Sequence, residues 1–310
     1  MKVVAVINYK GGVGKTSLTT NLGAELAWRR HKVLMIDLDP QASLTFSFIS
    51  PEDWERSFAP SKTIKSWFES FESGSAMPLS SLIYDPKRVK TALKGNGKLD
   101  IICSHLGLIN VDLELATKLG GASLAQAKKN FISTHRRLAE GLKELANDKK
   151  HDYDIVLIDC PPNFNIVTKT AIIASDYILV PARPDYLSTL GIDYLIRSVN
   201  ALINDYNDFA SVESPEKTAK IDPRILGVVF TMIQEYNGPM GSQRPFVDRV
   251  RRMEGLSVFP HYIKRNDTLF ADAPQYGVPV VLHNYSSGSH QSVVDGLEGV
   301  TDDFCKALGL

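Results

Sequence analysis

An α/β fold built on a doubly wound, mostly parallel sheet flanked by helices is predicted for this 310-residue chain by three features. Short, uninterrupted apolar runs recur along it. Helical patterns separate them. The first run leads straight into a glycine-rich turn. Strands covered on both faces read as continuous apolar runs, whereas half-exposed strands alternate. Strands alternating with helices imply βαβ crossovers.

In chain order the strand candidates are Val3–Ile7, Val33–Ile36, Leu99–Cys103, Ile155–Ile158, Tyr177–Val180, Ile225–Phe230 and the weaker run Leu256–Phe259. Apolar residues at helical spacing predict helices over Ser17–Arg30, Phe131–Ala146, Leu187–Ile203 and Val293–Leu308. Asn207–Asp222 is polar and reads as a surface loop. The stretch Pro51–Lys98 breaks the alternation. It carries Trp54, Phe58, Trp67, Phe68 and Phe71, which suit either packing onto the main body or a partner-binding surface. We therefore expect one domain over 1–310 with a partly helical insertion at about 51–98.

Composition narrows the function classes. With 44% hydrophobic and 23% charged residues, the balance is that of a soluble globular protein. No apolar run reaches 18 residues, so no membrane span is expected. The start, Met1 to Ile7, reads as a first strand rather than a secretory signal, which predicts the cytoplasm. Cys103, Cys160 and Cys305 are far apart and read as ordinary thiols of a reducing compartment. Thirty-five basic residues balance 35 acidic ones, which excludes a global pull toward nucleic acid but leaves room for a local basic patch.

Chemistry concentrates in three places. Lys10, Gly11, Gly12, Val13, Gly14, Lys15, Thr16 and Ser17 lie between the first strand and the first helix. Glycines let backbone N–H groups turn inward around phosphate oxygens, and a helix start adds unpaired donors. Lys15 is placed to reach the β- and γ-phosphates, and the Thr16 hydroxyl to ligate Mg²⁺. The usual pattern has a glycine where this chain has Tyr9, and a second lysine, Lys10, stands before the glycine pair. One triphosphate rarely needs two lysines from one loop, so Lys10 is best used across a dimer interface. The second place is Asp37 and Asp39, which end the second strand, and the third is Asp159, which ends the fourth apolar run. In open α/β sheets ligands bind beyond the carboxyl ends of strands, so these acids should meet the loop.

Taken together, KGGVGKTS at 10–17, DLDPQ at 37–41 and IDCPP at 158–162 resemble the deviant Walker P-loop ATPases of the ParA/MinD family, nearest to the ParA/Soj branch. Val180–Tyr186, Gly227–Met232 and Pro260–Pro274 are similar to later segments of that family, while 51–98 is left uncovered. The resemblance implies Mg-ATP, slow partner-stimulated hydrolysis and a face-to-face homodimer. It gives Lys10 a contact with the opposite subunit's phosphates, Lys15 and Asp39 catalytic roles, and Thr16, Asp37 and Asp159 the Mg²⁺ shell. Met232, Lys264, Arg265 and Asn266 become candidate contacts to the base, or plain loop structure. ParA-like members also bind DNA without sequence preference and answer to a ParB-like partner. Lys217, Lys220, Arg224, Arg244, Arg249, Arg251 and Arg252 would serve as DNA contacts, or form a mixed-charge surface.

Some family features are missing. An autorepressor role through a helix-turn-helix ahead of Met1 is not expected, nor is membrane binding by a C-terminal tail, since the last helix carries Asp295, Glu298, Asp302 and Asp303, which anionic lipid would repel. The function expected is an ATP-switched positioning or partition protein. A metabolic P-loop ligase or amidotransferase and a regulatory ATP-binding protein are the alternatives.

Overall fold

The computed structural model describes residues 1–310 except 72–73, 75, 214–219, 236–240 and 286, with backbone alone at 212–213. Among these residues six strands form: β1 (Lys2–Val6), β2 (Lys32–Asp37), β3 (Lys98–Ile102), β4 (Ile155–Asp159), β5 (Tyr177–Ala182) and β6 (Arg224–Phe230). They make one sheet in the order β3-β2-β4-β1-β5-β6, and every neighbouring pair is parallel. The register sets Val6 beside Asp159 and Asp159 beside Asp37, so the glycine-rich loop and two candidate acids leave the sheet side by side.

The helices are α1 (Lys15–Trp28), α2 (Ser43–Phe46), α3 (Pro51–Ser57), α4 (Ile64–Ser70), α5 (Lys87–Ala92), α6 (Leu108–Thr117), α7 (Leu124–His135), α8 (Arg137–Asn147), α9 (Ile166–Ala174), α10 (Tyr186–Glu213), α11 (Arg244–Arg251), α12 (Asp267–Tyr276) and α13 (Gly288–Leu308). Successive strand side chains point to opposite faces, and two cores result. Val3, Ala5 and Ile7 of the first strand region join Leu34, Ile36, Val156 and Ile158 under α4 and α6–α11. Val4 and Val6 join Val33, Met35, Ile155 and Leu157 under α1 and α13. Being buried on both faces is why these strands lack polar alternation.

Three expectations change. The helix expected over Phe131–Ala146 is two helices that pivot at Arg136. The His135 imidazole donates from Nδ1 to the Phe131 carbonyl (2.8 Å), inserting a side chain into the helical ladder. Leu256–Phe259 forms no strand. It gives one parallel bridge, Val228 to Val258, and the pairing stops after Phe259 because the next amide on that side, of His261, donates to the Asp303 carboxylate (2.9 Å) while the Phe230 carbonyl accepts from Ile263 instead (2.9 Å). The polar stretch from Asn207 begins as helix, because α10 runs on to Glu213. Asn207 then grips the returning chain at Ile221, donating to its carbonyl (2.9 Å) and accepting from its amide (2.8 Å). Within 51–98, α3, α4 and α5 alternate with turns, and Trp67 and Phe68 are fully buried against the main core.

Candidate phosphate-binding site

The loop after β1 is shaped by glycine. Gly12 and Gly14 have φ of 68° and 77°, a region that costs other residues about 1 kcal/mol or more. A Cβ at Gly11 or Gly12 would project into open space, whereas at Gly14 it would meet the Thr231 side chain at 3.5 Å. The Thr231 hydroxyl also donates to the Val13 carbonyl (2.7 Å), pinning the loop to the end of β6. Gly14 caps α1 without any side-chain hydrogen bond, so the first amides of α1 have no side-chain acceptor.

Lys15 lies inside this cradle, 6% exposed. Its Nζ donates to the carbonyls of Asn8 and Lys10, both at 3.2 Å. Burial lowers its pKa, opposed by the negative charges of Asp159 and Asp39. A buried ammonium held by two long bonds to neutral carbonyls is poised for an anion. Asn8 was not singled out by sequence reading, although it is the loop's keystone. Its side chain donates to the Pro181 carbonyl (2.8 Å) and accepts from the Lys10 amide (2.9 Å). Tyr9, standing where glycine is usual, packs its ring between Phe164 (5.5 Å) and Tyr194 (5.3 Å).

The acids gather as the strand order requires. Asp159 is buried and accepts from the hydroxyls of Thr16 (2.7 Å) and Thr19 (3.4 Å). Burial pushes its carboxyl up to about 7, against the pull of Thr16 and Lys15. Asp37 is also buried, and its pKa is raised by burial and then by Asp159. Its oxygens accept from the amide and hydroxyl of Thr45 (2.8 and 2.7 Å) and from the Asp39 amide (3.1 Å), so in this state it anchors the loop that carries Asp39. Asp39 itself is half-buried, accepting from the Gln41 amide (2.9 Å). Two buried carboxyls on adjacent strands, both held toward protonation, are the environment a divalent cation relieves. Among the described residues no three His, Cys, Asp or Glu side chains form a metal cluster. The donor set here is one hydroxyl and acids, and it fits a hard cation that keeps water and phosphate ligands, as Mg²⁺ does.

Lys10 has a partner in its own chain. Its Nζ is 2.8 and 3.1 Å from the two oxygens of Asp185, with each side chain 34% exposed. Arg183 approaches the same carboxylate at 3.6 Å. Burial raises the Asp185 pKa, but Lys10 and Ser188 outweigh it and the net shift is downward. The ammonium is neither sealed in nor free: it is parked.

Beside the loop, Gly14, Ser17, Met232, Lys264, Arg265, Asn266 and Phe270 line a cavity of about 260 Å³. The fold thus brings the four candidate base contacts to the phosphate loop. Met232 holds φ of 55°, an unusual backbone for a side-chain-bearing residue. Lys264 pairs with Glu235 (2.9 Å), Arg265 with Asp267 (2.6 Å), and Asn266 caps α12 by accepting from the Leu269 amide (3.0 Å). Phe270 was not foreseen. An aromatic in the first turn of a helix opened by an Asn cap was its only sequence signal.

The basic candidates divide. Lys217 lies outside the described residues. Arg224 opens β6, at the end remote from the loop, with exposed Lys220 just before it. Arg244, Arg249 and Arg251 belong to α11 and Arg252 caps it, all exposed, and Arg249 lies 5.8 Å from the Tyr186 ring. Cys103 and Cys160 are buried thiols whose pKa is raised by burial. No described helix is long and apolar enough to cross a membrane.

A sequence profile of the AAA domain family matches residues 1–212. The chain is 27% identical to the sporulation initiation inhibitor protein Soj of Bacillus subtilis, over 95% of this chain and 96% of that protein. It is 28% identical to the chromosome partitioning protein ParA of Caulobacter vibrioides, over 94% and 91%. Among solved structures, an ATP complex of a McdA variant from Cyanothece superposes with a TM-score of 0.67 at 22% identity, covering all of this chain and 97% of that one. This last likeness establishes the fold.

Proposed function

This chain belongs to the AAA-domain family of ParA/MinD-type ATPases, and from that premise we propose that it is an ATP-driven switch that positions or partitions an intracellular cargo. One observation carries the reading: Lys15, Thr16 and Asp159 converge under a glycine loop, with Asp39 within electrostatic reach of both Lys15 and Asp159.

In this proposal the amides of residues 11–17 surround the phosphates of ATP, and Lys15 exchanges its two carbonyl acceptors for phosphate oxygens. Thr16 and Asp159 hold Mg²⁺, directly or through water, with Asp37 behind them. The bound ion would neutralise phosphate charge. Asp39 orients the attacking water. Such catalysis is positioning and charge stabilisation rather than covalent chemistry. Met232, Lys264, Arg265 and Asn266 flank the base, with Phe270 as an added apolar wall. Lys10 leaves Asp185 when two copies meet face to face, and reaches the second copy's nucleotide. Arg244, Arg249, Arg251 and Arg252 form a DNA-facing helix in the ATP state, a ParB-like protein stimulates hydrolysis, and the switch works in the cytoplasm.

The test is oligomeric state and turnover with purified protein, with no organic cosubstrate present. ATP with Mg²⁺ should convert monomer to dimer, and Asp39→Ala should hold the dimer while stopping turnover. DNA retention should need ATP and weaken steeply with salt, as counterion release demands. A protein that remains monomeric with ATP, or hydrolyses it only when a small organic acceptor is supplied, refutes the proposal in favour of a metabolic enzyme.

A further inference from the structure

Near Asp39 a polar arrangement outside the glycine loop centres on Ser104, two residues beyond β3, and each of its polar groups ties down a different segment. Its amide donates to Thr45 Oγ1 (2.9 Å), whose own hydrogen goes to Asp37 Oδ2 (2.7 Å). Its hydroxyl donates to the Asp39 carbonyl (2.7 Å). Its carbonyl accepts from the indole Nε1–H of Trp54 (3.2 Å), which comes from α3 in the 51–98 insertion. The indole is itself fixed, 5.5 Å from the Phe46 ring and 5.3 Å from His105. Ser104 is fully buried, so none of these bonds is replaced by water without cost.

The insertion reaches Ser104 by covering the outer edge of β3. That strand ends the sheet, and an edge strand leaves a row of peptide groups open. Tyr84 and Ile101 exchange both backbone hydrogen bonds at 2.9 Å, and the Ile64 amide donates to the Cys103 carbonyl (2.8 Å). The contacts fall at 101, 103 and 104, and the last belongs to the residue that holds Asp39.

We infer that Trp54 and Ser104 are positioning residues for ATP hydrolysis: the insertion clamps Ser104, and Ser104 fixes the loop that presents the Asp39 carboxylate. The inference rests on the reading of Asp39 as the acid that orients water. Neither residue touches substrate. Both act through the backbone of residue 39, where small misplacements slow a reaction that depends on alignment.

The experiment compares full-length wild type, Trp54→Phe, Ser104→Ala and Asp39→Asn, and the double variant of Asp39→Asn with Trp54→Phe. It measures kcat, KM, nucleotide affinity and thermal unfolding. Trp54→Phe keeps the ring and removes only the N–H donor. We expect kcat to fall about threefold to tenfold in Trp54→Phe and Ser104→Ala, the size of one neutral hydrogen bond, while KM and nucleotide affinity stay within about twofold. In the Asp39→Asn background Trp54→Phe should add no further loss, because coupled residues are not additive. Unchanged kcat in Trp54→Phe, a loss confined to KM, or the same fold-loss in both backgrounds overturns the inference. If Ser104→Ala fails to fold, Trp54→Phe decides alone. Wild-type turnover by Asp39→Asn removes the premise, and the inference with it, and is distinguishable because it appears in that single variant.

Discussion

Replacing Asp185 with asparagine tests whether the parked lysine takes part in dimer formation. Lys10 lies 2.8 and 3.1 Å from the Asp185 carboxylate, and both side chains are about one-third exposed. A pair this wet is worth about 0.5 kcal/mol, within the range for surface ion pairs. A face-to-face dimer in which each Lys10 must leave its own Asp185 breaks two such pairs, at a cost of about 1 kcal/mol. Removing the carboxylate charge should therefore tighten the ATP dimer about fivefold in Kd. Asparagine is chosen because Asp185 also accepts from the Ser188 amide (2.8 Å) at the start of α10, a capping role that asparagine retains. The assay is sedimentation equilibrium with ATP and Mg²⁺ in an Asp39→Ala background, so that hydrolysis does not erode the dimer. An unchanged or weaker dimer would mean that Asp185 does not compete for Lys10, and the cross-subunit role would lose its support.

Two further outcomes are expected. Lys15→Ala should weaken nucleotide binding roughly 100-fold, since two charge-assisted contacts to phosphate are lost; isothermal titration showing near wild-type affinity would contradict the phosphate-loop assignment. Burial lowers the His135 pKa to about 4, below the ordinary 6.5, and its Nε2 has no partner among the described residues. A depressed folded-state pKa contributes stability that is complete above about pH 6.5 and lost as pH falls toward 4, up to roughly 3 kcal/mol. Urea midpoints at pH 7 and 4.5 should therefore drop more in wild type than in His135→Asn, whose amide can keep the bond to the Phe131 carbonyl. Equal drops would show that His135 is not the sensor.

Much of the site was legible because its chemistry is local. A glycine loop between strand and helix, and acids at strand ends, are fixed by backbone conformation over a few residues, so Lys15, Thr16 and Asp159 could be named as candidates before any contact was known. Helix and strand candidates were recognisable for the same reason, since burial on both faces writes a continuous apolar run. Where reading failed, a side chain from elsewhere intervened. His135 split one helix into two by bonding Phe131, and the His261 amide, held by Asp303 (2.9 Å), left the pairing with β6 that a seventh strand needed.

The sequence by itself thus disclosed six strands of the sheet, the glycine loop between β1 and α1 and, through the resemblance of three motifs, the family, because each is carried by contiguous residues. Only the tertiary structure decided that Lys10 pairs with Asp185, 175 positions away, that Met232 and Phe270 close a cavity against Gly14, and that Trp54 of the insertion reaches Ser104 and through it Asp39. Those partners lie on different elements. Their meeting depends on strand order, on the covering of an open sheet edge and on the direction in which side chains leave their backbones, none of which is written in local spacing.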